Sequence, residues 1–392
     1  MQIEFTPEQH ALRQEIRRYF ADLFTPELRT ELDAEWHECG GPVMRRVVER
    51  IGADGWLGIG WPKEYGGQGR TAIEQLIFWD EVHRARAPLH FIPVNTVGPA
   101  IMQFGTEEQR AEYLPKILSG KLFFGIGYSE PDAGTDLAAL KTRAVRDGDE
   151  YVIDGQKIYT TWAHDADYIF LAVRTDPDVK KHKGLSLLLV PTDTPGFSVT
   201  PIYSVGGERT NVTYYENVRV PVANRVGPEN GGWKVITSQL NHERITLACP
   251  GLVDRLLDEV WAWAEATDGP AGRLLDEPWV QMNLARVYTK LEALRVLNWH
   301  SAWSITAGVP EMAESSAIKV MGTEMFVDCY RLLLEITGTA GIVKHDQPGP
   351  LFGGHLEEAY RMAALLTFGG GVNEVQRDII AMAGLGLPRA RR

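Results

Sequence analysis

Apolar residues recur at helical spacing through the first third of the chain. Leu12, Ile16 and Phe20 stand four apart and form one stripe on a helix. They follow Thr6-Pro7-Glu8-Gln9, a capping box with proline at the first helical position. Thr106-Glu107-Glu108-Gln109 repeats that signature ahead of Tyr113, Leu114, Ile117 and Leu118. Between them, the glycines and proline of GWLGIGWPKEYGGQG (55–69) break any helix and predict a structured loop.

From about residue 121 the period changes. Tyr151-Val152-Ile153, then Asp154-Gly155, then Lys157 to Thr161 predicts a hairpin of strand, turn pair and strand. Residues 168–173, 185–190 and 213–222 are further β-rich runs, as in a small antiparallel domain. After Gly231-Gly232 the pattern is helical again, with proline-free stretches at 279–306 and 316–336. The order is helical, β, helical, without internal repeats.

One polar residue interrupts an apolar stripe. In WKVITSQLNHERITLA (233–248), Ile236, Leu240, Glu243 and Leu247 share one helix face. A carboxylate there loses hydration, so its pKa and basicity rise, which suits a base abstracting a weakly acidic C–H proton. An ion pair with Arg244 or another cation reads the same residue as structural.

Bulk composition narrows the field. The chain has 392 residues, 44% hydrophobic and 23% charged, as in a globular protein of two or three domains. A net charge of −12 argues against a nucleic-acid binder. Cys39, Cys249 and Cys329 fit no metal motif and no disulfide framework. No apolar run approaches bilayer length, and the N-terminus lacks signal-peptide character, so a cytoplasmic protein is expected. Nicotinamide and phosphate-loop fingerprints, HExxH and GxSxG are missing from the sequence.

At this point two long motifs match a family. YSEPDAGTDLAALKTRAV (128–145) and DGQKIYTTWA (154–163) resemble the two halves of the flavin-binding signature of acyl-CoA dehydrogenases. EYGGQG (64–69), the Gly338–Gly341 turn and EVQRDIIA (374–381) follow in the family's order. The resemblance implies an α+β fold: an N-terminal helical domain (1–120), a middle antiparallel β-domain (121–231) and a C-terminal four-helix bundle (232–392). It also implies FAD as cofactor, with no metal. By position, Tyr128 and Ser129 would contact the isoalloxazine edge. Gly134 and Thr135 would lie by the pyrophosphate and CoA, Tyr159 would pack on the flavin, and Thr161 would bind N5. Val372 and Glu374 are likewise assigned to the cofactor, and Thr135, Asn241 and Arg244 to the substrate.

Departures from the family pattern carry information. Many members hold their catalytic glutamate on the loop before the last helix; here Gly370 occupies that position and can offer only its backbone N–H. A smaller branch uses a glutamate before an arginine, which Glu243-Arg244 matches. The RxxFG motif is missing from 267–281, and Glu335 stands where an amide usually faces the pyrophosphate of a neighbouring subunit.

The chain thus resembles the base-bearing α subunit of actinobacterial α2β2 enzymes of steroid side-chain (cholesterol) degradation. The implied partners are an acyl-CoA substrate, a β-subunit paralogue and electron-transfer flavoprotein, with no nucleic acid or membrane. An oxidase or acyl-carrier dehydrogenase on the same fold, and a catalytically silent acyl-CoA-binding subunit, stay open as alternatives.

Overall fold

The computed structural model describes residues 4–89, 91–238, 248–270, 272–309 and 312–388. Among these residues the N-terminal α-helices come first: α1 (Pro7–Leu23), α2 (Pro26–Glu35), α3 (Pro42–Ala53), α4 (Ala72–Arg84), α5 (Gly98–Phe104) and α6 (Glu107–Leu118). Both expected capping boxes form, at Thr6/Gln9 and Thr106/Gln109, and Thr71/Glu74 makes a third. Leu12, Ile16 and Phe20 are buried as their spacing predicts. The glycine-rich segment after α3 is a folded-back loop. Gln68 and Gly69 donate to the carbonyls of Gly58 and Trp61, both at 2.8 Å, and a Cβ on Gly67 would lie 2.2 Å from the Trp61 carbonyl oxygen. Only glycine permits that approach.

An eight-stranded sheet follows: β1 (Phe124–Gly127), β2 (Arg143–Asp147), β3 (Glu150–Lys157), β4 (Tyr168–Arg174), β5 (Leu185–Pro191), β6 (Phe197–Tyr203), β7 (Arg209–Pro221) and β8 (Arg225–Val226). Its order is β6-β7-β3-β2-β4-β5-β8, with β1 also on β4. Two expectations change here. The sheet is mixed, because β4 runs parallel to β1 and to β2. The reason lies in β4 itself, whose residues Ile169 to Val173 are all fully buried. Ile169, Leu171 and Val173 face one core, while Phe170 and Ala172 face the core of the N-terminal helices. Continuous apolar runs of this kind mark strands covered on both faces, where parallel pairing is common.

The Asp154-Gly155 pair is also not a turn. The β2–β3 hairpin turns at Asp147–Glu150, and β3 runs unbroken from Glu150 to Lys157. Gly155, at φ +149°, sits at a register shift against β7 instead. A glycine inside a strand can mark a bulge as readily as a turn.

The C-terminal region is helical: residues 232–238, then α7 (Gly251–Ala266), α8 (Pro278–Thr306), α9 (Met312–Thr337), α10 (His355–Leu366) and α11 (Asn373–Ile379). Helices α7 to α10 share their own core, centred on Leu284, Leu291, Phe326 and Leu333, whereas Val235 and Ile236 of the 232–238 segment pack into the core of the N-terminal helices. Cys39, Cys249 and Cys329 are buried. Among the described residues no helix is long and apolar enough to cross a membrane.

Candidate active site

Beyond β1 the chain enters a loop that closes on itself, with Glu130 and Ala133 exchanging backbone hydrogen bonds of 3.1 Å. The Glu130 carboxylate accepts from the backbone N–H of Lys141 (2.6 Å) and Thr142 (2.8 Å) and from the Lys157 ammonium (2.8 Å). Lys157 is fully buried and also donates to the Tyr128 carbonyl at 3.0 Å. Ile158 N–H donates to the Ser129 carbonyl at 2.9 Å. Tyr128 and Ser129 are thereby stitched to the end of β3, close to Tyr159 and Thr161 in the chain.

Burial presses the Lys157 ammonium down to about 8, against the pull of Glu130. Burial also raises Glu130, but Lys157 and the two N–H donors outweigh it and hold the carboxyl below its usual range.

Neither Glu130 nor Lys157 was singled out from the sequence. A signal did exist: Tyr151, Ile153 and Lys157 occupy the inward register of β3, and a lysine there requires a buried counter-charge.

The chain turns sharply after Lys157. Tyr159 and Trp162 adopt φ of +59° and +64°, left-handed values that are strained for bulky residues. The Tyr159 side chain is 64% exposed. The Thr161 hydroxyl lies 3.1 Å from that of Thr210 on β7. Gly134 and Thr135 are exposed, and a Cβ on Gly134 would meet no atom within 4 Å. Among the described residues no atom requires glycine there.

Gly370, Val372 and Glu374 occupy a second, separately anchored segment. Gly370 is exposed at φ +67°, Val372 caps α11, and Glu374 lies in that helix's first turn. Lys319, fully buried on α9, donates to the Thr367 carbonyl (2.9 Å) and to Asn373 Oδ1 (2.7 Å), holding both ends of the loop. Asn373 in turn donates to Thr323 (3.2 Å) and Glu324 (3.1 Å).

Lys319 was also missed from sequence. Its clue is the buried series Ser316, Lys319, Thr323, Phe326, Tyr330, Leu333 at alternating spacings of three and four. The Glu335 carboxylate is engaged within the chain, by Arg331 and by Asn283 Nδ2 at 3.2 Å.

Asn241, Glu243 and Arg244 lie outside the described residues, as do Leu240 and Leu247 of the apolar stripe. Ile236, the stripe's other member, is fully buried. The flanks of residues 239–247 are anchored. Ser238 donates to Gln103 Oε1 at 2.8 Å, Asn298 Nδ2 donates to the Ala248 carbonyl at 2.7 Å, and Gly251 N–H donates to Asp80 Oδ1 at 2.6 Å.

This chain matches known proteins along its whole length. It is 54% identical to acyl-CoA dehydrogenase FadE26 of Mycobacterium tuberculosis (strain ATCC 25618 / H37Rv), with all of both chains covered. A chain of the ChsE4-ChsE5 complex from Mycobacterium tuberculosis superposes with TM-score 0.93 at 54% identity, covering 100% of each chain. A chain of the Tcur3481-Tcur3483 steroid ACAD superposes with TM-score 0.94 at 51% identity, again over 100% of each. Family models for the N-terminal, middle and C-terminal domains of acyl-CoA dehydrogenase match residues 6–121, 125–218 and 230–385 in turn. The chain therefore belongs to the acyl-CoA dehydrogenase family of oxidoreductases.

Proposed function

We propose that this chain is the base-bearing subunit of an FAD-dependent enzyme that dehydrogenates the α,β bond of a steroid side-chain CoA thioester. The observation that carries the reading is the Glu130–Lys157 clamp, which fixes Tyr128 and Ser129 beside the turn bearing Tyr159 and Thr161.

These residues fit FAD. The exposed Tyr159 ring and the open space beside Gly134 leave room for a large planar group and its phosphates. Tyr128, Ser129, Gly134, Thr135, Tyr159 and Thr161 would hold the cofactor, with Val372 and Glu374 contributing from the C-terminal segment. When bound, FAD supplies the acceptor for the hydride leaving the β carbon.

The chain's own part is acid–base and electrostatic. Glu243 removes the α proton, a task for which a poorly hydrated carboxylate is suited. The Gly370 N–H donates to the thioester carbonyl and stabilises the negative charge that develops there. Asn241, Arg244 and Thr135 hold the CoA portion.

Glu335 supports the two-chain reading. A carboxylate already engaged by Arg331 and Asn283 has no N–H to offer a pyrophosphate. A paralogous β subunit, giving α2β2, would complete the cofactor site. The steroid reading rests on full-length similarity to a protein described as a steroid ACAD. Electron-transfer flavoprotein would reoxidise the enzyme, in the cytoplasm.

Glu243→Gln in the complex formed with the paralogue tests the base. Flavin reduction by substrate should slow by roughly 10²–10⁴-fold; an undiminished rate overturns the assignment. FAD measured per chain tests the assembly, since a fully flavinated homotetramer of this chain alone would rule out the two-chain enzyme.

A further inference from the structure

Two left-handed residues within four positions need a strong external constraint. Tyr159 and Trp162 are both far too bulky for that region to be comfortable, and such conformations persist only where the surrounding structure over-determines them. The constraint comes from β7, through two consecutive residues.

Thr160, fully buried between the strained pair, donates its N–H to the Asn211 carbonyl at 2.9 Å. The Thr160 carbonyl accepts from Asn211 Nδ2 at 3.0 Å, and also from Ala163 N–H at 3.4 Å. One residue thus meets both polar groups of the Thr160 backbone. Its neighbour Thr210 meets the next residue of the turn, hydroxyl to hydroxyl, at Thr161.

Asn211 is itself held in one orientation. It is fully buried. Its Oδ1 accepts from Arg209 Nε at 3.1 Å, and Arg209 is tied to Glu38 at 2.9 Å. The amide nitrogen must therefore face Thr160 and His164 Nδ1, which lies at 3.2 Å. Burial and then Arg209 keep His164 below its usual pKa, so a neutral ring can accept that bond. Reversing the amide would set two donors against each other at Arg209, and two acceptors at Thr160.

We infer that Asn211 is a positioning residue of this enzyme, locking the Tyr159–Trp162 turn through Thr160 so that the Thr161 hydroxyl and the Tyr159 ring are presented to the flavin. The inference rests on the reading that Thr161 and Tyr159 face the cofactor.

Asn211→Asp, Thr161→Ala and the double variant, each in the flavin-loaded complex with the paralogue, provide the test. The aspartate keeps the side chain's size but cannot donate to the Thr160 carbonyl. Loss of one hydrogen bond at the flavin should change the equilibrium constant between oxidised and reduced flavin by roughly two- to tenfold in Thr161→Ala. Asn211→Asp should change it in the same direction, with a matching change in the visible flavin spectrum. The double variant should add nothing further, because both substitutions remove the same contact. Amide exchange of residues 159–162 should quicken roughly tenfold in Asn211→Asp.

An Asn211→Asp complex whose flavin equilibrium and spectrum equal the wild type's, while Thr161→Ala shifts both, overturns the inference. A silent Thr161→Ala overturns the cofactor reading beneath it, recognisable because exchange in Asn211→Asp still rises. If Asn211→Asp fails to assemble, Asn211→Ser, which keeps the β7 backbone pairing, is judged by the same outcomes.

Discussion

The ammonium of Lys319 on α9 and the amide oxygen of Asn373 at the start of α11 meet 2.7 Å apart, both residues almost wholly out of solvent. That contact, with the bond from Lys319 to the Thr367 carbonyl at 2.9 Å, spans the loop that carries Gly370. A left-handed glycine on an exposed loop is mobile unless its ends are held. Lys319→Met keeps the stem's bulk and removes the donor. It should destabilise the protein by roughly 1–3 kcal/mol, the penalty for stranding buried acceptors. It should also quicken amide exchange at 368–372 and raise KM for the acyl-CoA. Unchanged exchange there would mean the loop is held by something else.

Lys157 and Glu130 form another buried pair, with exposures of 0% and 6%. Removing one partner strands the other's charge, which is far worse than losing the pair's net contribution. Lys157→Met should lower stability by about 3–5 kcal/mol and release the Tyr128–Ser129 loop. The measurements are a denaturant titration and the FAD content of the purified complex. A stable variant with full FAD would show that the clamp does not organise the loop.

Gly251 packs against the end of α4 so closely that a Cβ would stand 2.0 Å from the Asp80 carbonyl oxygen. The oxygen belongs to the backbone and the Cβ position is fixed by it, so no side-chain rotation relieves the clash. Gly251→Ala should be destabilising by roughly 1–3 kcal/mol, as overpacking usually is, and thermal unfolding would show it. A neutral result would mean that α4 and α7 can slide apart without loss.

Acid sensitivity should come partly from His355. Burial first, then Arg86, Arg255 and Arg29, push its pKa from 6.5 down to about 3, and His345 adds to the same effect. Asp33, Glu358 and Glu259 are the acids acting on Arg86 in this cluster. Between those two values the unfolded chain binds a proton that the folded chain refuses. Stability therefore falls as pH drops from about 6.5 toward about 3, and is unaffected by this group at higher pH. Melting temperatures across that range should fall more steeply for the wild type than for His355→Gln. Parallel curves would mean that the imidazole ionises freely in the fold.

Much of this protein is legible without coordinates, because it is written in local patterns. Thr6/Gln9 and Thr106/Gln109 are capping boxes whose partners sit three residues apart. Leu12, Ile16 and Phe20 form a stripe that any helix would bury on one side. The helical, β, helical order and the family signature follow from short runs of adjacent residues.

What needed tertiary structure is whatever depends on which distant segments meet. Gly155 reads locally as a turn, and only pairing with β7 makes it a register shift. The apolar run of β4 marks a strand covered on both faces, but which strands flank it, and that two of them run parallel to it, appears only in the folded sheet. Glu130 and Lys157 are 27 residues apart, Thr160 and Asn211 51, Lys319 and Asn373 54. A polar side chain shows in sequence as a hydrogen-bonding group, but burial and partner are properties of the folded neighbourhood, so the clamps that hold the candidate site emerge only once the chain has closed on itself.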